Sequence, residues 1–133
     1  MSYAPEHPHV ILLRDGYTAF AKGDLDYIRE ILAEDVVHVV SGCSKISGRY
    51  CGKDQVLEFY VRVFEMSGGT FRSEPYAFLA DVDHGVALIH TTAERAGRTL
   101  DDHGADIHRF VGGQIAEIRH LAGDQHAVDE FWS

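Results

Sequence analysis

Hydrophobic positions in the first half of the chain recur with helical spacing. Val10, Leu13, Tyr17 and Phe20 fall on one stripe and Arg14, Asp15 and Lys22 lie off it, which predicts a helix ended by Gly23. Asp24 is placed to cap a second short helix over Leu25–Ala33 that turns Leu25, Ile28 and Leu32 inward. The β-branched run Val36–Val40 reads as a strand. Residues 41–52, with Ser41, Gly42, Ser47 and Gly48 in quick succession, read as a loop. A third amphipathic helix is expected over about Asp54–Met66, with Val56, Phe59, Tyr60 and Val63 on one side and Gly68-Gly69 as its stop.

In the second half the pattern changes to that of strands. Four β-prone segments, about Thr70–Leu79, Val86–Arg95, Arg98–Phe110 and Gln114–Leu121, are separated by Asp83-His84-Gly85, Ala96-Gly97 and Gly112-Gly113. The last of these is a two-residue hairpin signal. Asp124 can cap a terminal helical turn carrying Val128, Phe131 and Trp132. Three helices and a strand followed by a meander predict an α+β fold. Its curved, mostly antiparallel sheet is covered on the concave face by helices, which makes a cone with an internal pocket.

Strand parity then selects side chains for that pocket. His120 shares a face with Ala116 and Ile118, while Glu117 and Arg119 take the other. Asp106, His108 and Phe110 share one face, and His38 shares one with Val36 and Val40. Taken singly, a histidine on an apolar face is more often a hydrogen-bonded core group, and a buried aspartate is usually paired. Convergence of His38, Asp106, His108 and His120 from three strands on one interior points instead to a functional cleft. The segment Val86–Arg95 is consistently polar on neither face, so it is expected to be covered by helices within and by a second copy of the chain without.

Composition narrows the classes. The 133 residues, 45% hydrophobic, suit one domain over 1–133 with a core that needs no metal or disulfide staples. A net charge of −9, from 21 acids against 12 bases, disfavours nucleic acid and anionic membrane as partners. The opening MSYAPEHPHV lacks the basic and apolar regions of an export signal, and no apolar run approaches the ~20 residues of a membrane span. A cytoplasmic location is the expectation, and with it free thiols at Cys43 and Cys51. Nine histidines occur without HExxH or paired CxxC spacing, and His7-Pro8-His9 has poor ligand geometry, so no metal site is expected. GxSxG is absent, and Gly112-Gly113 lacks the strand–glycine–helix context of a phosphate loop.

Three stretches carry a resemblance: Ala21-Lys22-Gly23-Asp24-Leu25-Asp26, Ile31-Leu32-Ala33-Glu34-Asp35-Val36 and Gly48-Arg49-Tyr50-Cys51-Gly52-Lys53-Asp54. With Asp106-Ile107-His108-Arg109-Phe110 and Gln114-Ile115-Ala116-Glu117-Ile118, they resemble SnoaL-like proteins of the nuclear-transport-factor-2-like superfamily. That superfamily includes ketosteroid isomerases, scytalone dehydratase and limonene epoxide hydrolase. The ending Asp124–Trp132 resembles that of uncharacterised bacterial members, in which the tail would cover the cavity mouth. The resemblance implies a cystatin-like α+β roll, a cone-shaped sheet wrapped by three N-terminal helices.

Isomerases of this fold use an aspartate base with an oxyanion hole of a tyrosine and a protonated aspartic acid. The resemblance places Asp106 at that acid and Tyr60 at a tyrosine supporting the oxyanion tyrosine. The oxyanion tyrosine itself falls at Gly16, with Tyr17 beside it, and the base falls at Val40, which excludes a typical ketosteroid isomerase. His38, two residues before Val40, lies on the same strand face. The implied activity is cofactor-independent acid–base chemistry of isomerase, cyclase or dehydratase type on a hydrophobic carbonyl or polyketide-like compound. His38 or His120 would remove a proton α to a carbonyl, and Asp106, kept neutral by burial, would donate to the enolate oxygen. Asp106→Asn would then keep more activity than Asp106→Ala. Tyr17, Phe20, Tyr60 and Phe64 would shape the pocket, with His108 and Trp132 also against the ligand; Phe131 and Trp132 read as a hydrophobic plug. Two other readings stand beside this one: a noncatalytic binding or interaction module with the histidines satisfied in the core, and a water-activating hydrolase using Asp106 and Arg95, for which no second inward aspartate is evident. A homodimer is expected in each case.

Overall fold

Pro8 opens the first helix and Gly23 closes it. In the computed structural model, which describes residues 6–133, α1 spans Pro8–Lys22, with His7 as N-cap and Gly23 left-handed at φ 71°. The opening stretch read for an export signal lies partly outside the described residues, since 1–5 precede them. Asp24 caps α2 (Leu25–Ile31) by accepting the Tyr27 N–H. The helix stops two residues short of the expected Ala33. Leu32 and Ala33 instead begin β1 (Leu32–Val40), where Leu32 pairs with Ile115 and is buried.

Within the expected loop, Gly48–Cys51 forms β2, antiparallel to β1. This edge strand buries none of its residues, so no alternating pattern announced it. The helix α3 (Lys53–Met66) follows, then β3 (Arg72–Ala80), β4 (His84–Arg95), β5 (Arg98–Val111), β6 (Gln114–Leu121) and α4 (Gln125–Phe131). The six strands form one curved, unclosed sheet in the order β2-β1-β6-β5-β4-β3, with four helices. Only β1 and β6 run parallel among these neighbours.

Glycine decides the hairpin turns. Gly112 and Gly113 both take positive φ, 58° and 77°, as a two-residue turn matching strand twist requires. Ala96 and Gly97 do the same between β4 and β5, at 51° and 76°. A bulge between Arg109 and Phe110 shifts the β5–β6 register by one residue.

The concave face carries the core, in which Leu13, Leu32, Val36, Val56, Ile89 and Trp132 are fully buried. The strand β4 alternates after all. Ala87, Ile89, Thr91 and Ala93 are buried, whereas Leu88 points outward with Leu79, Ile107 and Leu121 into solvent. Cys43 and Cys51 are free, exposed thiols. Among the described residues no helix is long and apolar enough to cross a membrane.

Candidate functional site

Two rows of side chains cross the concave face above the core. In the first, His38 on β1 pairs with Ile118 on β6, which pairs with His108 on β5. In the second, one step further along, Val40 pairs with His120, which pairs with Asp106. All six residues line a cavity of about 140 Å³. The first helix supplies Leu13, Gly16, Tyr17 and Phe20 to its wall, α3 supplies Phe59, Tyr60 and Val63, and Val128 and Trp132 close it from the C-terminal end.

Asp106 is the hub. His120 Nδ1 donates to its Oδ1 at 2.6 Å, and the Tyr17 hydroxyl donates to its Oδ2. Tyr17 thus reaches the acid from the position beside Gly16. Burial alone would raise the Asp106 pKa. The bond and charge of His120, with His108 and His38 nearby, outweigh that and hold it at about 2. The expectation of a neutral Asp106 is therefore reversed: the group is a carboxylate, an acceptor with no proton to give.

The three histidines are placed in different states by their surroundings. Burial disfavours the charged form of His120, but the hydrogen bond and charge of Asp106 prevail and its pKa is raised. With Nδ1 committed to Asp106, its Nε2 has no hydrogen-bond partner among the described residues. Burial pushes His38 down to about 4. The Tyr60 hydroxyl lies 3.0 Å from His38 Nδ1 and has no other acceptor among the described residues, so Tyr60 donates and His38 carries its proton on Nε2. Tyr60 therefore supports His38 and not Tyr17. His108 is also lowered by burial; its Nδ1 donates to the Gly85 carbonyl at 3.3 Å, and its Nε2 lies 3.5 Å from the Tyr17 oxygen.

The cavity holds Asp106, His38, His120, Tyr17, Phe20, Tyr60, His108 and Trp132, but not Phe64. Phe64 packs behind Phe20, with ring centroids 5.0 Å apart, and Phe71 takes its place in the wall. Arg95 is turned to the C-terminal end, where Nη1 donates to the Phe131 and Ser133 carbonyls at 3.2 and 3.0 Å. A second inward aspartate does exist. Asp102 lines the cavity, buried, but its oxygens accept the Gly123 and Asp124 N–H groups, both at 2.9 Å. Strand parity with Asp106 was the signal that would have found it. These bonds occupy both oxygens, and Arg95 is directed elsewhere, so the hydrolase arrangement is not assembled.

Residues 13–118 match the SnoaL-like domain family. The chain belongs to that family. The uncharacterized protein Rv0034 of Mycobacterium tuberculosis is 30% identical over 123 residues, 92% of this chain and 94% of the relative. Bal32a, from a soil-derived mobile gene cassette, has a structure with a TM-score of 0.92 and 29% identity, covering 95% of this chain and 97% of that one. More distant folds include a putative SnoaL-like polyketide cyclase from Jannaschia sp. CCS1, with a TM-score of 0.80 and 18% identity over 100% of this chain and 97% of the other. RV0760c of Mycobacterium tuberculosis, in complex with estradiol-17beta-hemisuccinate, has a TM-score of 0.74 and 18% identity over 87% and 94% of the two chains. At such identities the likeness is one of fold, and the SnoaL-like fold hosts different chemistries.

Proposed function

We propose that this SnoaL-like protein is a cofactor-independent acid–base enzyme that enolises a small hydrophobic carbonyl compound, an isomerase, cyclase or dehydratase in type. The observation that carries this reading is the Asp106–His120 pair in a largely apolar cavity. Asp106 fixes the proton on Nδ1 and leaves the Nε2 lone pair of His120 unpartnered. A carboxylate that orients an imidazole and stabilises its charged form is the second half of a catalytic triad, used here without a nucleophile. His120, with its raised pKa, is the base. His38, too weakly basic at about 4, is a neutral imidazole whose Nε2–H can polarise a carbonyl oxygen. Environments that push two like groups in opposite directions divide the roles of base and electrophile between them.

Cavity size supports a restricted substrate class. About 140 Å³ is close to the ~150 Å³ that accommodates a benzene molecule, so a one-ring compound fits without rearrangement. A bulkier polyketide-like compound exceeds this volume. The chain acts as a single domain and pairs with a second copy through the outer sheet face. Leu79, Leu88, Ile107 and Leu121, each more than a third exposed, support that surface.

The reading is tested with one-ring aryl ketones such as acetophenone in deuterated buffer. Ligand-observed NMR reports binding, and loss of the α-proton signal reports enolisation. Wild type is expected to exchange the α-protons faster than buffer, and His120→Gln to bind without exchange. Binding by wild type with no exchange, across such ketones, would overturn the catalytic role and leave a small-molecule binding protein. That second reading is favoured by one observation, that the Asp106 oxygens and the His108 Nδ1 already have protein partners.

A further inference from the structure

The outer face of the sheet carries a second group of ligating side chains that the cavity does not use. His90 on β4 stands directly opposite His103 on β5, and Asp101 lies two residues before His103 on the same outward face. The two imidazoles stack, with centroids 4.3 Å apart and planes 5° apart. His90 Nε2 is 2.7 Å from Asp101 Oδ1. One ligand atom from each of the three residues falls within 4.8 Å of the others. Glu74 on β3, exposed, pairs with His90 and extends the row.

We propose that His90, Asp101 and His103 bind a divalent transition-metal ion of the zinc, nickel or cobalt class on the β4–β5 hairpin. Two imidazole nitrogens and one carboxylate oxygen suit these ions, whereas magnesium and calcium take oxygen sets. The Ala96-Gly97 turn fixes which residues stand opposite, so the strands already hold the ligand-bearing backbone in place. Rotation of exposed side chains closes the remaining distance to the ~2.0–2.2 Å bonds of zinc. The fourth position is left for Glu74 or water. A chain charge of −9 favours cation capture. All three ligands come from one chain, so the site needs no residue from a second copy, and it is independent of the cavity chemistry. The expectation of no metal site rested on linear motifs, which a cross-strand set does not form.

The test uses the full chain, freed of metal with a chelator and titrated with Zn2+ by calorimetry and with Co2+ by absorption. One ion per chain is expected. His90→Ala and His103→Ala should each weaken Zn2+ binding by about tenfold or more, since loss of a supporting group alone costs that much. Asp101→Asn, a same-size change at an exposed position, should also weaken it, and each of the three should alter the Co2+ ligand-field bands. His126→Ala, at an exposed position on α4, should change nothing. No binding, or isotherms and Co2+ spectra unchanged in the His90, Asp101 and His103 variants, would overturn the proposal. Capture at the cavity histidines, at His7 and His9 or at the two cysteines produces that unchanged result.

Discussion

Acidification from pH 7 to pH 4 should destabilise this protein through His38. Folding buries this imidazole and lowers its pKa from 6.5 to about 4. Between those two values the unfolded chain binds a proton that the folded chain refuses, so stability falls as the pH falls. His38 therefore contributes stability that is complete above pH 6.5 and is lost on the way down to 4. A difference of about 2.5 pKa units, at 1.36 kcal/mol each, is a loss of about 3 kcal/mol. That is a large part of the ~5–15 kcal/mol by which domains are stable. Other buried groups do not mask it. His108 is lowered too and adds in the same direction. His120 is raised, so its stabilisation is complete once the pH is below 6.5 and stays constant through this window. Asp106, held at about 2, begins to lose its contribution only below its ordinary 3.8. Urea unfolding at pH 7, 6, 5 and 4 measures the slope, with His38→Gln as the comparison. The amide can still accept from Tyr60 but takes up no proton. The variant should lose about 3 kcal/mol less than wild type over this range. Equal slopes in the two proteins, or an imidazole NMR titration that puts His38 near 6.5, would refute the reasoning.

Because Asp106 is a carboxylate and not a neutral acid, Asp106→Asn should impair α-proton exchange nearly as much as Asp106→Ala. In Asp106→Asn the His120 pKa, followed by NMR, should fall from above its ordinary value to below it, as burial then outweighs the one remaining raising influence, the charge of Asp102; a value that stays raised refutes the pairing. Asp102→Ala leaves the Gly123 and Asp124 N–H groups without their acceptor and should cost about 3 kcal/mol in urea unfolding. A cost under about 1 kcal/mol would show that water replaces the carboxylate there. Wild type is expected to be dimeric in light scattering, and the double variant Leu88→Glu with Ile107→Glu, on the outer sheet face, monomeric. Monomeric wild type at tens of micromolar would rule out that assembly.

The elements of this fold were largely legible because each carries its own periodicity and punctuation. Gly23, Asp24, Ala96-Gly97 and Gly112-Gly113 act within a few residues of backbone, so reading them needs no knowledge of distant contacts. The failures share one cause. The edge strand β2 and the early start of β1 at Leu32 depend on pairing partners outside their own segments, Val37–Val40 for β2 and the distant Ile115 for Leu32. Phe64 sits one layer behind the cavity for a similar reason. Helical spacing gives the face of α3 but not which of its aromatic rings Phe20 will cover.

At the site, parity alone turned His38, Asp106, His108 and His120 to one face, since successive strand side chains alternate. The same alternation, with a two-residue turn, already set His90 opposite His103 on the other face. Sequence could not decide which inward groups touch. Counted outward from Gly112-Gly113 without interruption, Asp106 would stand opposite Arg119, whose side chain faces outward. The bulge between Arg109 and Phe110 moves it opposite His120. That bulge buries Ile115 and Ala116 together, an arrangement favoured by packing around β1 and β6 and invisible to a local pattern. Protonation followed from the same contact. Burial, which composition and parity foretell, would have kept Asp106 neutral, whereas the tertiary pairing with His120 makes it a carboxylate.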